Sequence, residues 1–352
     1  MKKTSSLLML LMIAIATVHA QPERTVWSVE KASAWYSQYD WLRGSDFIPH
    51  TAINQLEMWQ AETFDTVAID HDLAFAQSIG FNMMRVFLHH LAWQEDPAGF
   101  KTRMDKYLTI ASGHGVVTLF VIFDDCWNDN YQAGQQPAPR PGVHNSGWLR
   151  DPGTRYYDEP RLVDTLKEYV TDLLTVFKHD KRILGWDLYN EPGNSHYDLK
   201  SMDLLEKEWH WALMVNPDQP LTAGVWNNSL GELNHFQLTH SDVITYHNYD
   251  PPALHQAAID TLKKFNRPMI CTEYMARRNN SLFINIMPLL KEQHIGAINW
   301  GLVKGKTNTI YAWNTPMPDG SEPKIWFHDI VRPDGTPFSG EEIEFIKKMT
   351  NR

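Results

Sequence analysis

The sequence predicts a (β/α)8 TIM barrel of the α/β class, and three observations carry that prediction. From Trp41 onwards strand-like and helix-like segments alternate, and the strand-like segments number eight. Two of the strands, ILGWDLYNEP from Ile183 to Pro192 and PMICTEY from Pro268 to Tyr274, are apolar until their carboxyl ends, where Glu191 and Glu273 stand. No repeat, low-complexity tract or linker divides the 352 residues, so the elements belong to one domain.

The strands are expected at 41–48, 82–89, 116–124, 183–190, 220–226, 243–249, 268–274 and 296–303. Each is followed by a segment with apolar residues at i, i+3 and i+4 spacing, the mark of a helix with one buried face. These run from Asp65 to Ile79, Lys101 to Ser112, Pro160 to Lys178, Met202 to Val215, Leu254 to Phe265 and Ser281 to Gln293. The fifth unit, Gly231 to Thr239, has the poorest helical pattern, and Glu341 to Met349 supplies the eighth helix. The connection from Asp124 to Arg155 is far longer than an ordinary β/α loop. It carries Trp127, Tyr131, Trp148, Arg140 and Arg150, a composition too aromatic for a disordered tract.

Residues 1–20 read as a signal peptide: Lys2 and Lys3, an apolar stretch from Leu7 to Val18, then Val18-His19-Ala20. The expected mature chain is therefore 21–352, secreted or periplasmic. Loss of the two lysines takes the formal charge from −10 to −12. Such an acidic surface disfavours nucleic acid and anionic membranes, although Arg43 and Arg85 can reverse the potential inside a cleft. Cys126 and Cys271 end different strands of the expected ring and are expected to be free thiols.

No zinc-binding helix motif, paired Cys-x-x-Cys, calcium loop, phosphate loop or serine nucleophile elbow occurs, so neither metal nor cofactor is expected. The adjacent His89 and His90 should point to opposite faces of a strand, with at most one in the cleft.

In a closed barrel the carboxyl ends of the strands form the catalytic face, so strands four and seven can bring Glu191 and Glu273 together. Paired carboxylates are the minimum equipment for cleaving a glycosidic bond: one protonates the leaving oxygen, the other acts as nucleophile or activates water. Taken singly, each glutamate is equally well read as one half of an ion pair.

Asn190-Glu191-Pro192 after a tryptophan-containing strand, with Thr272-Glu273-Tyr274 ending a later one, resembles clan A of the retaining glycoside hydrolases. Gly80-Phe81-Asn82-Met83-Met84-Arg85-Val86, His247-Asn248-Tyr249 and Trp300 in AINWGL resemble further motifs of its family five, the group of cellulase, mannanase and xylanase barrels. The likeness spans about residues 40 to 305. It departs from the family where Asp-x-His is usual and this chain reads Asp124-Asp125-Cys126-Trp127.

The resemblance implies Glu191 as acid/base and Glu273 as nucleophile of a two-step hydrolysis of β-linked glycans, plant-type or other, with the carboxyls about 5 to 5.5 Å apart. Arg85 should lower the pKa of Glu273, and the charge on Glu273 should raise that of Glu191. Asn190 is expected to reach the sugar 2-hydroxyl, Tyr249 to hold Glu273, and His247 either to order the site or to touch sugar. Trp300 is expected as a sugar platform or as barrel packing, and Trp127 as a further carbohydrate contact. Carbohydrate is thus the expected partner.

Two other readings stay open: a catalytically silent carbohydrate-binding barrel, for which Trp93, Trp127, Trp148 and Trp313 would serve, and a transglycosylase using the same glutamates. The long loop after strand three is expected to wall off part of the cleft and favour short-oligosaccharide or chain-end cleavage, with an open groove as the near alternative.

Overall fold

The computed structural model describes residues 24–352, so the leader expected over 1–20 lies outside the described residues. Eight parallel strands follow in chain order: β1 (Arg43–Phe47), β2 (Met83–Phe87), β3 (Val117–Asp124), β4 (Ile183–Asn190), β5 (Leu221–Thr222), β6 (Ile244–His247), β7 (Met269–Tyr274) and β8 (Gly296–Asn299). They pair in the order β5-β4-β3-β2-β1-β8-β7-β6. The ring closes through a parallel bridge between Val225 and Tyr246, where Val225 N donates to Thr245 O at 3.1 Å and His247 N to Val225 O at 2.9 Å. This is the expected (β/α)8 barrel.

The fifth strand is shorter than the expected 220–226. Between it and β6 the Thr222 hydroxyl bonds Val243 O at 2.9 Å and meets the Thr245 hydroxyl at 2.8 Å, so side chains take over part of the ladder's work.

Strands covered on both sides read as continuous apolar runs, and β2, β4 and β7 are buried throughout. Period-two alternation then sorts their side chains. Met84 and Val86 face the helices and join the main core, while Met83, Arg85 and Phe87 face the barrel axis in successive layers.

The lowest axial layer is apolar, built from Leu42, Met83, Leu119, Leu184, Ile270 and Ile298 and closed by Tyr36 of the helix Val29–Tyr36. The uppermost is aromatic, with Phe87, Val121, Trp148 and Trp300. Arg85 lies between them, which places a guanidinium on the axis of a dry barrel.

The helix Met202–Val215 forms at its expected residues, and the weakly patterned fifth helix forms as Gly231–His240. The helix expected from Lys101 starts at Pro97, because proline at its first turn needs no amide partner and Asp96 caps Gly99 N at 2.9 Å. Short helices at Gln55–Trp59 and His90–Glu95 decorate the carboxyl-end loops. The second of these overturns the expectation that His89 and His90 point to opposite faces, while neither lines the cleft, within the expected limit of one. His89 caps that helix rather than extending β2, so the two rings stack 5.3 Å apart, both buried, and both reach toward Asp151.

Both cysteines are buried free thiols, as expected. Among the described residues no helix is long and apolar enough to cross a membrane.

Candidate active site

Glu191 and Glu273 meet above the carboxyl ends of β4 and β7. One carboxylate oxygen of each, together with a ring nitrogen of His247, lies within 4.8 Å of the others. Glu191 follows the last residue of β4 with φ of 46°, in the left-handed region that a non-glycine residue enters only when its surroundings hold it there. A proline next in sequence ends the strand and leaves the carboxylate at the mouth.

Each carboxylate has its own set of donors. On Glu273, Arg85 Nη1 donates to Oε1 at 3.0 Å and the Tyr249 hydroxyl to Oε2 at 2.8 Å. On Glu191, His247 Nδ1 meets Oε1 at 2.8 Å, the Cys126 thiol donates to Oε2 at 3.2 Å, and the Asn194 amide donates to the same oxygen. The Nδ1 of His247 is also 3.5 Å from Glu273 Oε2. His247 thus bonds one carboxylate, approaches the other and also lines the cavity, and its Nε2 is buried without a partner.

Arg85 ties the site to the barrel axis. It bonds Asp46 Oδ1 at 2.9 Å, Asp187 Oδ2 at 2.9 and 2.8 Å, and Asn190 Oδ1 at 2.7 Å, besides Glu273. One cation therefore serves three carboxylates. Burial raises the Glu273 carboxyl; the fields of His247 and Arg85 and the Tyr249 hydroxyl oppose it, Glu191 adds like-charge repulsion, and the net position is above the ordinary value. Burial also acts on Glu191, but the hydrogen bond and field of His247, with the Cys126 and Asn194 donors, outweigh it and hold Glu191 below the ordinary value. Burial is the largest influence on both carboxyls, and the field of Arg85 lowers Glu273 as expected without bringing it below its ordinary value.

Asn190 is more constrained than expected. Its Oδ1 accepts from Arg85, and its Nδ2 donates to Asp124 Oδ1 at 2.8 Å and to Cys126 Sγ at 3.4 Å. Only the long thiol contact can be exchanged cheaply for a sugar hydroxyl. Arg43 does not enter the cleft: it begins β1 at the opposite end and bonds Gly80 O and Trp41 O. Trp93 is also outside, buried with its Nε1 bonded to Asp172.

A cavity of about 1200 Å³ opens over the pair. Trp300 lines it and packs edge-on against Phe87 and Trp148, at 5.8 and 5.3 Å between ring centres, so it serves as packing and as lining at once. Trp127 lines it with 37% of its surface exposed, its ring 5.3 Å from His144. Trp148 is buried and anchored by Nε1 to Asp124 Oδ2 at 2.7 Å.

The sequence reading did not foresee how the segment 300–339 after β8 brings Trp313, named there only for a binding module, and Asn314 to the cavity. It is bonded to the long loop after β3. Asn145 N donates to Thr307 O at 2.8 Å, His144 Nδ1 to Tyr311 O at 2.9 Å, and Met317 N to Gly142 O at 2.9 Å. Gly142, at φ +68°, has to be glycine for this junction, since a Cβ there would stand 1.7 Å from Met317 O. Asp46 and Asp187 were also missed. A carboxylate inside the apolar run ILGWDLYN was the available signal, because such a group needs a buried cation.

No protein-family model matches the chain, and no curated protein matches it in sequence. Solved structures do resemble it. An exo-β-1,4-mannosidase from Opitutaceae bacterium strain TAV5 superposes with a TM-score of 0.60 at 16% identity, over 89% of this chain and 60% of that one. A GH5_18 protein from Streptomyces cattleya in complex with GlcNAc gives 0.56 at 12% identity, over 88% and 80%. An endo-β-1,4-mannanase from Thermotoga petrophila gives 0.56 at 14%, over 90% and 77%. The chain thus spans less than two thirds of the mannosidase's length. At these identities the likeness establishes a shared fold: this chain is a (β/α)8 barrel, with a buried glutamate pair at the carboxyl end of its strands.

Proposed function

We propose that the protein is a retaining glycosidase acting on β-linked glycans, with Glu273 as nucleophile and Glu191 as acid/base. The carrying observation is that one carboxylate oxygen of each glutamate lies within 4.8 Å of the other, a close approach that suits direct attack by one of the pair. The roles divide by the donors. Glu273 has one fixed donor on each oxygen, the Arg85 guanidinium and the Tyr249 phenol, an arrangement that aims a nucleophile. Glu191 is held by an imidazole, a thiol and an amide, groups that tolerate a carboxyl that gains and loses a proton.

The neighbours in fold are a β-1,4-mannosidase and a β-1,4-mannanase, which makes β-1,4-linked mannose chains the first substrates to try. The long loop brings Trp127, His144, Asn145, Trp148 and Arg150 to the cavity and is bonded to the segment after β8, which favours a wall on that side and with it chain-end cleavage. A panel of β-glycosides and polysaccharides, followed by product chromatography and NMR of the first anomer formed, tests the reading. Binding without turnover would replace it by a carbohydrate-binding barrel, an inverted product would remove the nucleophile, and sugar-acceptor products in place of hydrolysis would make the protein a transglycosylase.

Two expected outcomes follow from the geometry. In Glu191→Ala the rate should fall by orders of magnitude on poor leaving groups and least on dinitrophenyl glycosides, which depart without a proton; equal loss on both classes would remove Glu191 from that role. Shortening the loop over residues 137–145 should open the walled side and turn early release of one small sugar into a spread of oligosaccharides. An unchanged time course of products would show that the wall does not select chain ends.

A further inference from the structure

The Cys126 side chain is buried, lies at the floor of the cavity and makes two contacts that the proposed reaction does not require of it. Its sulfur is 3.2 Å from Glu191 Oε2 and 3.4 Å from Asn190 Nδ2. The loop that presents it is fixed, because Cys126 N donates to Asp124 Oδ1 at 2.9 Å and the same oxygen accepts from Asn190. Asn190 in turn accepts from Arg85, and Arg85 donates to Glu273. An unbroken series of side chains, Glu273, Arg85, Asn190, Cys126 and Glu191, therefore joins the two carboxylates behind the cavity.

We propose that Cys126 is a positioning residue for Glu191, its thiol accepting from Asn190 while donating to Oε2, so that the orientation and proton affinity of Glu191 are set through the sulfur. The role of Glu191 as acid/base rests on the function proposed above; the coupling of thiol to carboxylate rests on the distances alone. Burial, with the negative groups Glu191, Asp124 and Glu273 around it, pushes the Cys126 thiol up, which keeps it in the protonated form that can donate.

A thiol is a weak donor, and that is the substance of the proposal. A weak donor on Oε2 stabilises the carboxylate only modestly, so Glu191 is drawn down less than a hydroxyl in the same place would draw it. The other charged or titratable groups around Glu191 and the thiol are His247 from β6, Tyr249 beyond it, Glu273 from β7 and Asp124 at the end of β3, while Arg85 from β2 is bonded to the neighbouring Asn190.

The test reads Glu191 directly. Carboxyl carbons of glutamate-labelled protein are titrated by NMR, with Glu191→Gln identifying the signal, in the wild type, Cys126→Ala and Cys126→Ser. Loss of the donor in Cys126→Ala should move the Glu191 titration upward by about half a pH unit, and Cys126→Ser should return it to the wild-type position or below. On a turned-over substrate the profile of kcat/KM against pH should change in Cys126→Ala and return in Cys126→Ser, its two limbs belonging to the coupled pair rather than to either carboxyl. A titration that stays put in Cys126→Ala, or a serine variant that behaves like alanine, overturns the proposal and leaves the thiol a packing group. Protein that shows the shifts but hydrolyses no glycoside would overturn the proposed function while the coupling stands; turnover with an unmoved titration would overturn the coupling alone.

Discussion

Replacing Glu273 by alanine is expected to lower turnover by roughly 10⁴-fold or more, the scale on which covalent catalysts lose activity with their nucleophile. The substitution removes the atom that attacks and leaves a cavity bounded by the Arg85 guanidinium and the Tyr249 hydroxyl, both donors. A small anion fits such a place. With azide present, an activated β-glycoside should yield the glycosyl azide of opposite anomeric configuration, since the anion attacks from the face the carboxylate occupied and no second displacement follows. The measurement is the anomeric configuration of that product by NMR. Ordinary activity with retained configuration in the variant would assign the nucleophile elsewhere, and the matching treatment of Glu191→Ala shows whether the roles are exchanged.

The exchange is worth testing because the free protein's electrostatics do not give the roles away. Glu273 stands above its ordinary value and Glu191 below. Two coupled carboxyls share their protons as a unit, so one macroscopic step belongs to the pair rather than to either residue. The geometry of the donors therefore carries the assignment, and the azide product decides it.

What could be read from the sequence was whatever depends on local pattern. Strand ends carrying Glu191 and Glu273 were legible because polarity breaks an apolar run at one end, and the barrel brought them together as eight alternations require. Tyr249 was found at Glu273 because His247-Asn248-Tyr249 resembles the family's motif at the end of the sixth strand. The misses share a different cause. His89 and His90 were read as strand, but the chain had already turned into a helix whose cap is His89 itself. Asp46 and Asp187 were passed over, and with them the sharing of Arg85 among three carboxylates. The wall built by the segment 300–339 was invisible for a related reason: its partners, Gly142 to Asn145, lie far away in sequence, and hydrogen bonds between irregular loops leave no periodic trace.

Arg85→Met is expected to destabilise the fold by about 3–5 kcal/mol near neutral pH, the usual consequence of stripping the partner from buried charge. Methionine fills much of the volume between the apolar and aromatic layers of the axis, so the cost comes from Asp46, Asp187 and Glu273 rather than from a void. All three are raised by burial even with the cation in place, Asp46 well above its ordinary value. Without Arg85 they rise further and take up protons. A carboxyl whose folded value exceeds its unfolded value contributes stability below the unfolded value and loses it as pH rises through the folded one. The gap in thermal midpoint between wild type and Arg85→Met should therefore be widest at pH 8 and narrow towards pH 5, while turnover stays low throughout because a protonated Glu273 cannot attack. A variant as stable as the wild type at pH 8, or a gap that widens on acidification, would show that the axial carboxylates do not depend on this guanidinium. Arg85→Lys separates charge from geometry: a single ammonium can neutralise one or two of the carboxylates but cannot span Asp46, Asp187, Asn190 and Glu273 together. It should recover part of the stability at pH 8 and little of the activity.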